Sequence, residues 1–111
     1  MMHIWENNNN YRISLIELLD ITKDINSELM PIEDIPLTLK FDINDIEHNN
    51  RIKNADLIYP ILLLVDEHNI PLYIIDGYHR TYKAIENKLS FIKVKKIKPN
   101  HLPENIKPIF Y

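Results

Sequence analysis

The only glycine in this chain of 111 residues is Gly77, and its position limits how the chain can fold. It follows the apolar segment 72–75 and one aspartate, and it precedes residues 78–88, where apolar side chains recur at helical spacing. A backbone that passes directly from a strand into a helix must turn sharply, and glycine permits this because it readily adopts positive φ. We therefore predict a strand, a tight turn at Gly77 and a helix over 78–88.

Neighbouring patterns extend this unit on both sides. The continuous apolar run 61–65 predicts a strand covered on both faces, and the polar residues 66–69 predict a turn that joins it to strand 72–75 as a hairpin. Residues 91–97 alternate between apolar and lysine side chains, which predicts a third strand. The helical spacing predicts a buried stripe of Tyr78, Tyr82 (or Thr81), Ile85 and Leu89.

The N-terminal half carries weaker patterns. Ser14, followed three residues later by Glu17, is a capping-box pattern and predicts a helix from about Leu15 to Thr22 or beyond. The preceding residues 1–12 include an asparagine run and are expected to be a loose terminal segment.

Two other segments leave alternatives open. Residues 32–35 lie between prolines and are compatible with a short strand or with one turn of helix. Residues 42–48 predict the start of a second helix, with Ile43 and Ile46 facing inward. The tail after residue 98 contains three prolines and is expected to wrap the surface.

Composition restricts the chemistry. The chain has no cysteine, which excludes disulfides, thiolate catalysis and cysteine-based zinc sites. Residues 1–58 hold five Lys/Arg against eleven Asp/Glu, a formal charge of −6, whereas residues 59–111 hold eight against five, a formal charge of +3. The net charge of −3 argues against a dedicated non-specific DNA binder, but the basic half can still hold a local anion site.

The apolar segments are too short for a bilayer. The longest, 58–65, is interrupted by Tyr59 and Pro60, and the N-terminus lacks the basic and apolar regions of a signal peptide. We expect a single cytoplasmic domain over residues 1–111 with no membrane partner.

The predicted turn at Gly77 has the chemistry of an anion site. The first N–H groups of a helix have no intrahelical partner, and the helix dipole adds a positive potential there. Arg80 can add a two-pronged donor. Asp76 can be an N-cap, a metal ligand or a general base. His79 can be a general acid, a general base or a hydrogen-bond donor to a phosphate. However, Asp-Gly is also a common turn dipeptide, so the pattern alone leaves a simple helix cap equally open.

Residues 58–98 resemble the ParB/sulfiredoxin superfamily. The resemblance rests on the Pro60-Ile61 strand, the following hairpin, the sequence Asp76-Gly77-Tyr78-His79-Arg80, the alanine in the next helix and the strand after it. It implies an α/β (α+β) fold in which a small mixed sheet packs with helices in a single domain.

The resemblance also implies site residues. It places nucleotide phosphates on Gly77, Tyr78, His79, Arg80 and Thr81. Sulfiredoxins carry a catalytic cysteine in this turn, where this chain has Tyr78, so sulfiredoxin activity is excluded. The partition proteins have a further DNA-binding domain and a Glu-Arg-Arg turn, so centromere binding is not expected.

The Asp-Gly-x-His-Arg form is most similar to the free-serine-kinase branch of the superfamily. This implies catalytic roles for Asp76 and His79, and Glu33 is the predicted third catalytic residue. The expected cofactors are Mg²⁺, with Asp76 as its protein ligand, and ATP/ADP or CTP. The expected function is nucleotide binding with phosphoryl transfer or NTP hydrolysis.

Two alternatives remain open at this stage. One is a non-catalytic accessory protein of a phage or mobile element, an adaptor or inhibitor that binds a host protein. The other is a ParB-like nuclease or DNA-associated regulator. The five histidines are scattered without metal-binding spacing. Lysines 93, 95, 96 and 98 are better explained by a solvated edge strand than by contact with nucleic acid.

Overall fold

A computed structural model describes residues 4–7, 9–37 and 46–111, which form a mixed α+β structure as predicted. The strands are β1 (Ile4–Glu6), β2 (Arg12–Ser14), β3 (Glu28–Pro31), β4 (Ile61–Val65), β5 (Pro71–Asp76) and β6 (Phe91–Ile97). The helices are α1 (Leu15–Ile21), α2 (Ile46–Asn54), α3 (Tyr78–Glu86) and α4 (Lys107–Phe110).

The main sheet is mixed and has the strand order β3-β6-β4-β5. β4 and β5 form the predicted antiparallel hairpin, with Leu62 opposite Asp76. β6 runs parallel to β4, and β3 runs antiparallel to β6 on its other side. The chain leaves β5, passes through α3 and returns as β6 next to β4. This path places Gly77 and the start of α3 at the edge of the sheet where β4 begins.

β4 connects the two hydrophobic cores of the protein. All five of its residues are buried, so the prediction of a strand covered on both faces is confirmed. Ile61, Leu63 and Val65 belong to one cluster, together with Ala84 of α3. Leu62 and Leu64 belong to a second cluster on the opposite face. The second cluster includes Leu18 of α1 and three residues of the C-terminal tail, namely Leu102, Ile106 and Phe110.

The predicted cap of α1 is confirmed. The Ser14 hydroxyl oxygen accepts a hydrogen bond from the Glu17 N–H (3.2 Å), and the same hydroxyl donates to the Glu17 carboxylate (3.1 Å). Satisfying an N–H group of the first turn in this way sets the start of a helix. α1 ends at Ile21, one residue before the predicted end.

β1, near the N-terminus, packs against the C-terminal tail, which differs from the prediction. Ile4–Glu6 pairs with β2 as a hairpin where a loose segment was expected over residues 1–12. The Trp5 ring lies 5.8 Å from the Phe110 ring, measured between centroids. The tail therefore contributes to the core instead of only wrapping the surface. This pairing joins residues far apart in the sequence, so neither segment shows it by its local pattern.

Hydrogen bonds from two tyrosine hydroxyl groups also connect the C-terminal tail to the sheet. The Tyr73 hydroxyl donates to the carbonyl oxygen of Phe110 (2.8 Å). The Tyr111 hydroxyl lies within hydrogen-bond distance of the carbonyl oxygens of Val65 (2.5 Å) and Ile97 (3.1 Å). Buried carbonyl groups at the ends of β4 and β6 thereby gain partners.

The two ambiguous segments are resolved in part. Residues Ile32–Asp34 form a 3₁₀ helix, so of the two alternatives the single helical turn is correct. The second helix is α2, which the structure describes over Ile46–Asn54, and residues 42–45 of the prediction lie outside the described residues. Ile46 is exposed instead of facing inward, and Ile52 is the buried residue of α2. Ile43 lies outside the described residues.

The predicted buried stripe of α3 is wrong in its second half. Thr81 and Ala84 are fully buried, whereas Ile85 and Leu89 are 38% and 45% exposed. Small side chains at the contact allow a helix to approach its neighbours closely, and here Ala84 fits against β4 and β6. α3 begins at Tyr78 as predicted and ends at Glu86, two residues early.

The lysines of β6 do not lie on an edge strand, because β6 is flanked by β3 and β4. Three of their ammonium groups have partners within the protein. Lys93 donates to the carbonyl oxygen of Ile58 (3.2 Å), and Lys95 to that of Thr22 (3.3 Å). Lys96 forms an ion pair with Glu28 of β3 (2.8 Å). These lysines are therefore explained by contacts that join β6 to the segments around it.

In the part of the chain that the structure describes, no helix combines the length and the apolar composition needed to cross a membrane.

Candidate functional site

Gly77 occupies its position for a steric reason. It is the N-cap of α3 with φ +110°, and its carbonyl oxygen accepts the first helical hydrogen bond from the Thr81 N–H (3.0 Å). A Cβ atom added to Gly77 would lie 2.6 Å from Cγ2 and 2.8 Å from Cβ of Ile61. The fold therefore needs glycine here whatever the turn binds. The N-cap of α3 is Gly77, and the Asp76 side chain does not cap the helix.

Asp76 holds the Arg80 side chain. An Asp76 carboxylate oxygen lies 3.5 Å from Nη1 of Arg80, and both side chains are between a quarter and a third exposed. The same Nη1 donates to the carbonyl oxygen of Pro60 (3.1 Å). The guanidinium carbon lies 5.9 Å from the centre of the Tyr59 ring. A guanidinium carries five N–H donors, so these contacts orient Arg80 and leave it donors for a ligand.

A cleft of about 250 Å³ opens at the start of α3. We call it the polar cleft, and the residues that define it are Arg51, Asp56, Tyr59, Asp76, His79 and Arg80. It lies between the end of α2, the segment before β4 and the first turn of α3. The helix dipole contributes a positive potential at this end of α3. The polar cleft thus joins cationic and titratable side chains from two helices.

α2 and α3 are joined at both ends. Nδ1 of His48 in α2 and Nε2 of His79 in the first turn of α3 lie 3.2 Å apart. Near the other end, Nζ of Lys83 donates to the carbonyl oxygens of Lys53 (3.0 Å) and Ala55 (2.6 Å). A cation at these carbonyl groups satisfies acceptors that the end of α2 leaves unpaired. These contacts hold α2 beside the polar cleft.

The pKa of His79 is lowered, first by burial of its ring and then by the neighbouring His48 and Arg51. Asp76 acts in the opposite direction. His79 is therefore neutral at pH 7, the form in which an imidazole can accept a proton from a hydroxyl group or a water molecule.

A second cleft, of about 260 Å³, adjoins the first. We call it the apolar cleft, because Leu15, Leu19, Pro60 and Leu62 contribute to its wall. Tyr59, Asp76 and Arg80 line both clefts. A ligand larger than one phosphate group can therefore extend from one cleft into the other around these shared residues.

The structure separates the predicted phosphate-binding residues into two groups. Gly77, His79 and Arg80 line the polar cleft. The Tyr78 side chain instead packs against the cluster under α3, where burial raises the pKa of its hydroxyl. Thr81 is fully buried, and its hydroxyl donates to the carbonyl oxygen of Gly77 (3.0 Å). The side chains of Tyr78 and Thr81 thus serve the packing of α3.

Of the three predicted catalytic residues, Asp76 and His79 are brought together. Both line the polar cleft. Glu33 is an exposed residue of the 3₁₀ helix after β3 and is not among the residues that line the polar cleft. Its catalytic role remains a prediction without structural support.

The described residues do not fit a metal site built by the protein. No group of three or more His, Asp or Glu side chains among them is arranged to hold a metal ion. Asp76, the predicted Mg²⁺ ligand, is already paired with Arg80. A Mg²⁺ ion in this cleft would have to take most of its ligands from a bound phosphate and from water.

Four residues near the cleft were not selected from the sequence: His48, Arg51, Asp56 and Tyr59. Arg51 and His48 come from α2, and their distance from Gly77 along the chain hides the relation. Tyr59 lies within the segment 59–65 that carries the resemblance, and this was its only indication in the sequence. No local pattern pointed to the other three.

The chain was compared with protein-family models, with curated proteins and with solved structures, and none of the three comparisons found a match.

Proposed function

We propose that the polar cleft binds a nucleotide through its phosphate groups and supports phosphoryl transfer or hydrolysis. The observation that carries this proposal is the convergence of Arg51, His79 and Arg80 at the positive end of α3 in one cleft. Guanidinium groups and helix N-termini often donate hydrogen bonds to phosphate, and together they bind an anion more tightly than either does alone. The resemblance to the ParB/sulfiredoxin superfamily supports the same assignment.

Cleft size favours the phosphates as the part bound by the polar cleft. Pockets for drug-sized ligands usually have volumes of about 300–1,000 Å³, whereas this cleft has about 250 Å³. The remaining part of a nucleotide would extend past Tyr59 and Arg80 toward the apolar cleft. An aromatic ring such as Tyr59, which is 60% exposed, offers a stacking surface on this path.

We assign a role to each residue of this proposal. Arg80 holds a phosphate oxygen, and Asp76 orients Arg80 through their ion pair. Arg51 supplies a second cation from α2. His79 positions the attacking hydroxyl or water beside the bound phosphate. Phosphoryl transfer depends mainly on positioning and charge stabilisation, which these residues provide.

The test is a thermal-shift screen with ATP, ADP, CTP and GTP, each with and without Mg²⁺. A ligand at ten times its Kd stabilises the folded state by about 1.4 kcal/mol, which is roughly 6 °C for a domain of this size. Arg80→Ala should abolish the shift. Arg12→Ala is the matched control, because Arg12 is an exposed arginine on β2 and does not line either cleft.

A second variant separates binding from chemistry. Asp76→Asn keeps the side-chain size but removes the charge that orients Arg80 through their ion pair, so nucleotide binding should persist while turnover falls. No shift with any nucleotide up to millimolar concentration would refute the nucleotide proposal. Turnover that survives both Arg80→Ala and Asp76→Asn would place the chemistry elsewhere.

A non-catalytic adaptor is the second candidate, and exposed apolar side chains favour it. Ile58 is 70% exposed, and Tyr59 and Leu19 are 60% and 45% exposed at the apolar cleft. Apolar surface of this kind often marks a protein interface. Pull-down with an immobilised chain tests it. Capture of one defined partner that is lost in Leu19→Asp and kept in Arg80→Ala would favour the adaptor over the nucleotide proposal.

A further inference from the structure

His48 and His79 meet edge to edge. Their facing nitrogens, Nδ1 of His48 and Nε2 of His79, are 3.2 Å apart, and their ring planes differ by only 14°. If the rings were stacked face to face, the distance between their centroids would be about the same as the distance between their nearest nitrogen atoms. Here the centroids are 5.4 Å apart, so the rings lie nearly in one plane with the two nitrogens between them. This is the geometry of an N–H···N hydrogen bond.

The pair has room for only one hydrogen between the two nitrogens. One nitrogen must carry the hydrogen and the other must present a lone pair, because two N–H groups would repel each other at this distance. If His48 donates, a neutral His79 carries its own hydrogen on Nδ1. If His79 donates from Nε2, its Nδ1 is an acceptor. The tautomer of His79 is therefore tied to that of His48.

The same geometry argues against a metal ion shared by the two rings. The ring edges face each other, so the lone pairs of the two nitrogens lie along one line instead of converging on a common point. The described residues also offer no group of three ligands. The contact is better described as a shared hydrogen than as part of a metal site.

The pair can take up one proton without losing its hydrogen bond. An imidazolium that donates to a neutral imidazole forms a charge-assisted bond, whereas a second proton would oppose two N–H groups. Arg51 of α2 and Asp76 of β5 act on the charge of His79, and Arg51 is itself paired with Glu47 of α2 (2.6 Å). Arg80 of α3 and Asp56 line the same cleft. A bound dianion would shift this balance toward the protonated pair.

We propose that His48 is a positioning residue of the polar cleft, which selects the tautomer of His79 through their hydrogen bond and couples anion binding to the uptake of one proton. The proton comes from the solvent and resides on the pair. The coupling to an anion rests on the proposed function, whereas the selection of the tautomer does not.

The first test is the nitrogen chemical shifts of the histidine rings, measured by NMR on the full chain without ligand. These shifts report which ring nitrogen carries hydrogen. His48→Leu removes the partner, and His48→Asn restores a group that can donate or accept a hydrogen bond near the position of Nδ1. We expect the His79 shifts to change in His48→Leu and to return toward wild type in His48→Asn. His68→Leu, at an exposed histidine in the β4–β5 turn, is the control.

The second test is the affinity for inorganic sulfate, a dianion that does not titrate near neutral pH, measured between pH 8 and pH 6. If binding takes up one full proton, the affinity rises by about tenfold for each unit by which the pH falls. We therefore expect a clear increase from pH 8 to pH 6 in wild type and a much smaller one in His48→Leu. A buffer series with different ionisation enthalpies measures the proton uptake directly.

The outcomes separate this inference from the proposed function. Unchanged His79 nitrogen shifts in His48→Leu would overturn the positioning role, even if sulfate binds. An equal pH dependence of sulfate binding in wild type and His48→Leu would overturn the coupling. Absence of sulfate binding at every pH would overturn both the anion-binding cleft and the coupling, while the NMR result would still decide the tautomer.

Discussion

Replacement of Gly77 by alanine tests the steric explanation of the single glycine. The change adds one methyl group at a residue whose φ is +110°. That methyl group would lie 2.6 Å from Cγ2 of Ile61, closer than two carbon atoms can approach without movement. Ile61 is fully buried at the start of β4, so neither α3 nor β4 can shift without disturbing the core.

Two contributions set the expected magnitude. A residue with a Cβ in the left-handed region costs about 1–2 kcal/mol relative to glycine. Overpacking of a filled site costs about 1–3 kcal/mol. We therefore expect Gly77→Ala to lower the free energy of unfolding by about 2–5 kcal/mol, which corresponds to a fall in Tm of roughly 8–20 °C for a domain of this size.

Urea unfolding, followed by circular dichroism, measures this free energy. Two background changes separate the contributions. Ile61→Ala removes Cγ2, so the double variant with Gly77→Ala should lose less free energy than the sum of the single variants, by about 0.5–3 kcal/mol. Ile61→Val keeps that methyl group and should give additive losses. A loss below about 1 kcal/mol for Gly77→Ala would contradict both contributions.

Three further predictions concern the rest of the fold. Ser14→Ala should lower the free energy of unfolding by about 1 kcal/mol because the Glu17 N–H loses its acceptor, whereas Ser14→Asp should restore the stability. Urea unfolding measures this, and equal stability of all three proteins would contradict a stabilising role for the cap. Lys83→Met should speed amide hydrogen exchange at the end of α2, because the carbonyl groups of Lys53 and Ala55 lose the ammonium group that donates to them. Lys88→Met, at an exposed lysine, is the control, and equal exchange in both variants would contradict the prediction. Burial, assisted by Tyr73 and Asp66, raises the pKa of Tyr111 to about 12. The folded state thus retains the hydroxyl proton longer than the unfolded state, and stability should fall as pH rises from about 10 toward the folded pKa. Tyr111→Phe should flatten this alkaline fall, and an identical pH profile for both proteins would contradict it.

Much of the local structure follows from neighbouring residues. The run 61–65, the hairpin after it, the start of α3 and the Ser14 cap were all predicted, because hydrophobic periodicity and capping act over a few residues. The turn at Gly77 was predicted from the same local information. The candidate residues Asp76, His79 and Arg80 followed from their closeness to that turn.

Contacts between distant segments could not be predicted in the same way. The approach of α2 to α3, which brings His48 to His79 and Arg51 to the polar cleft, joins residues about thirty positions apart. The packing of Trp5 against Phe110 joins β1 to the C-terminal tail, which the local patterns of these two segments did not indicate. Sequence patterns within one segment carry no information about which partner it meets.

The sequence by itself thus determined the strand–turn–helix unit around Gly77 and the residue types available at its turn. Only the tertiary structure decided what those residues do. It showed that Gly77 is required by the close approach of Ile61, and that Tyr78 and Thr81 face the core. The physical reason is that side-chain direction and local charge depend on which elements pack together, and this packing brings Arg51, His48 and Tyr59 to the side of Arg80 and His79.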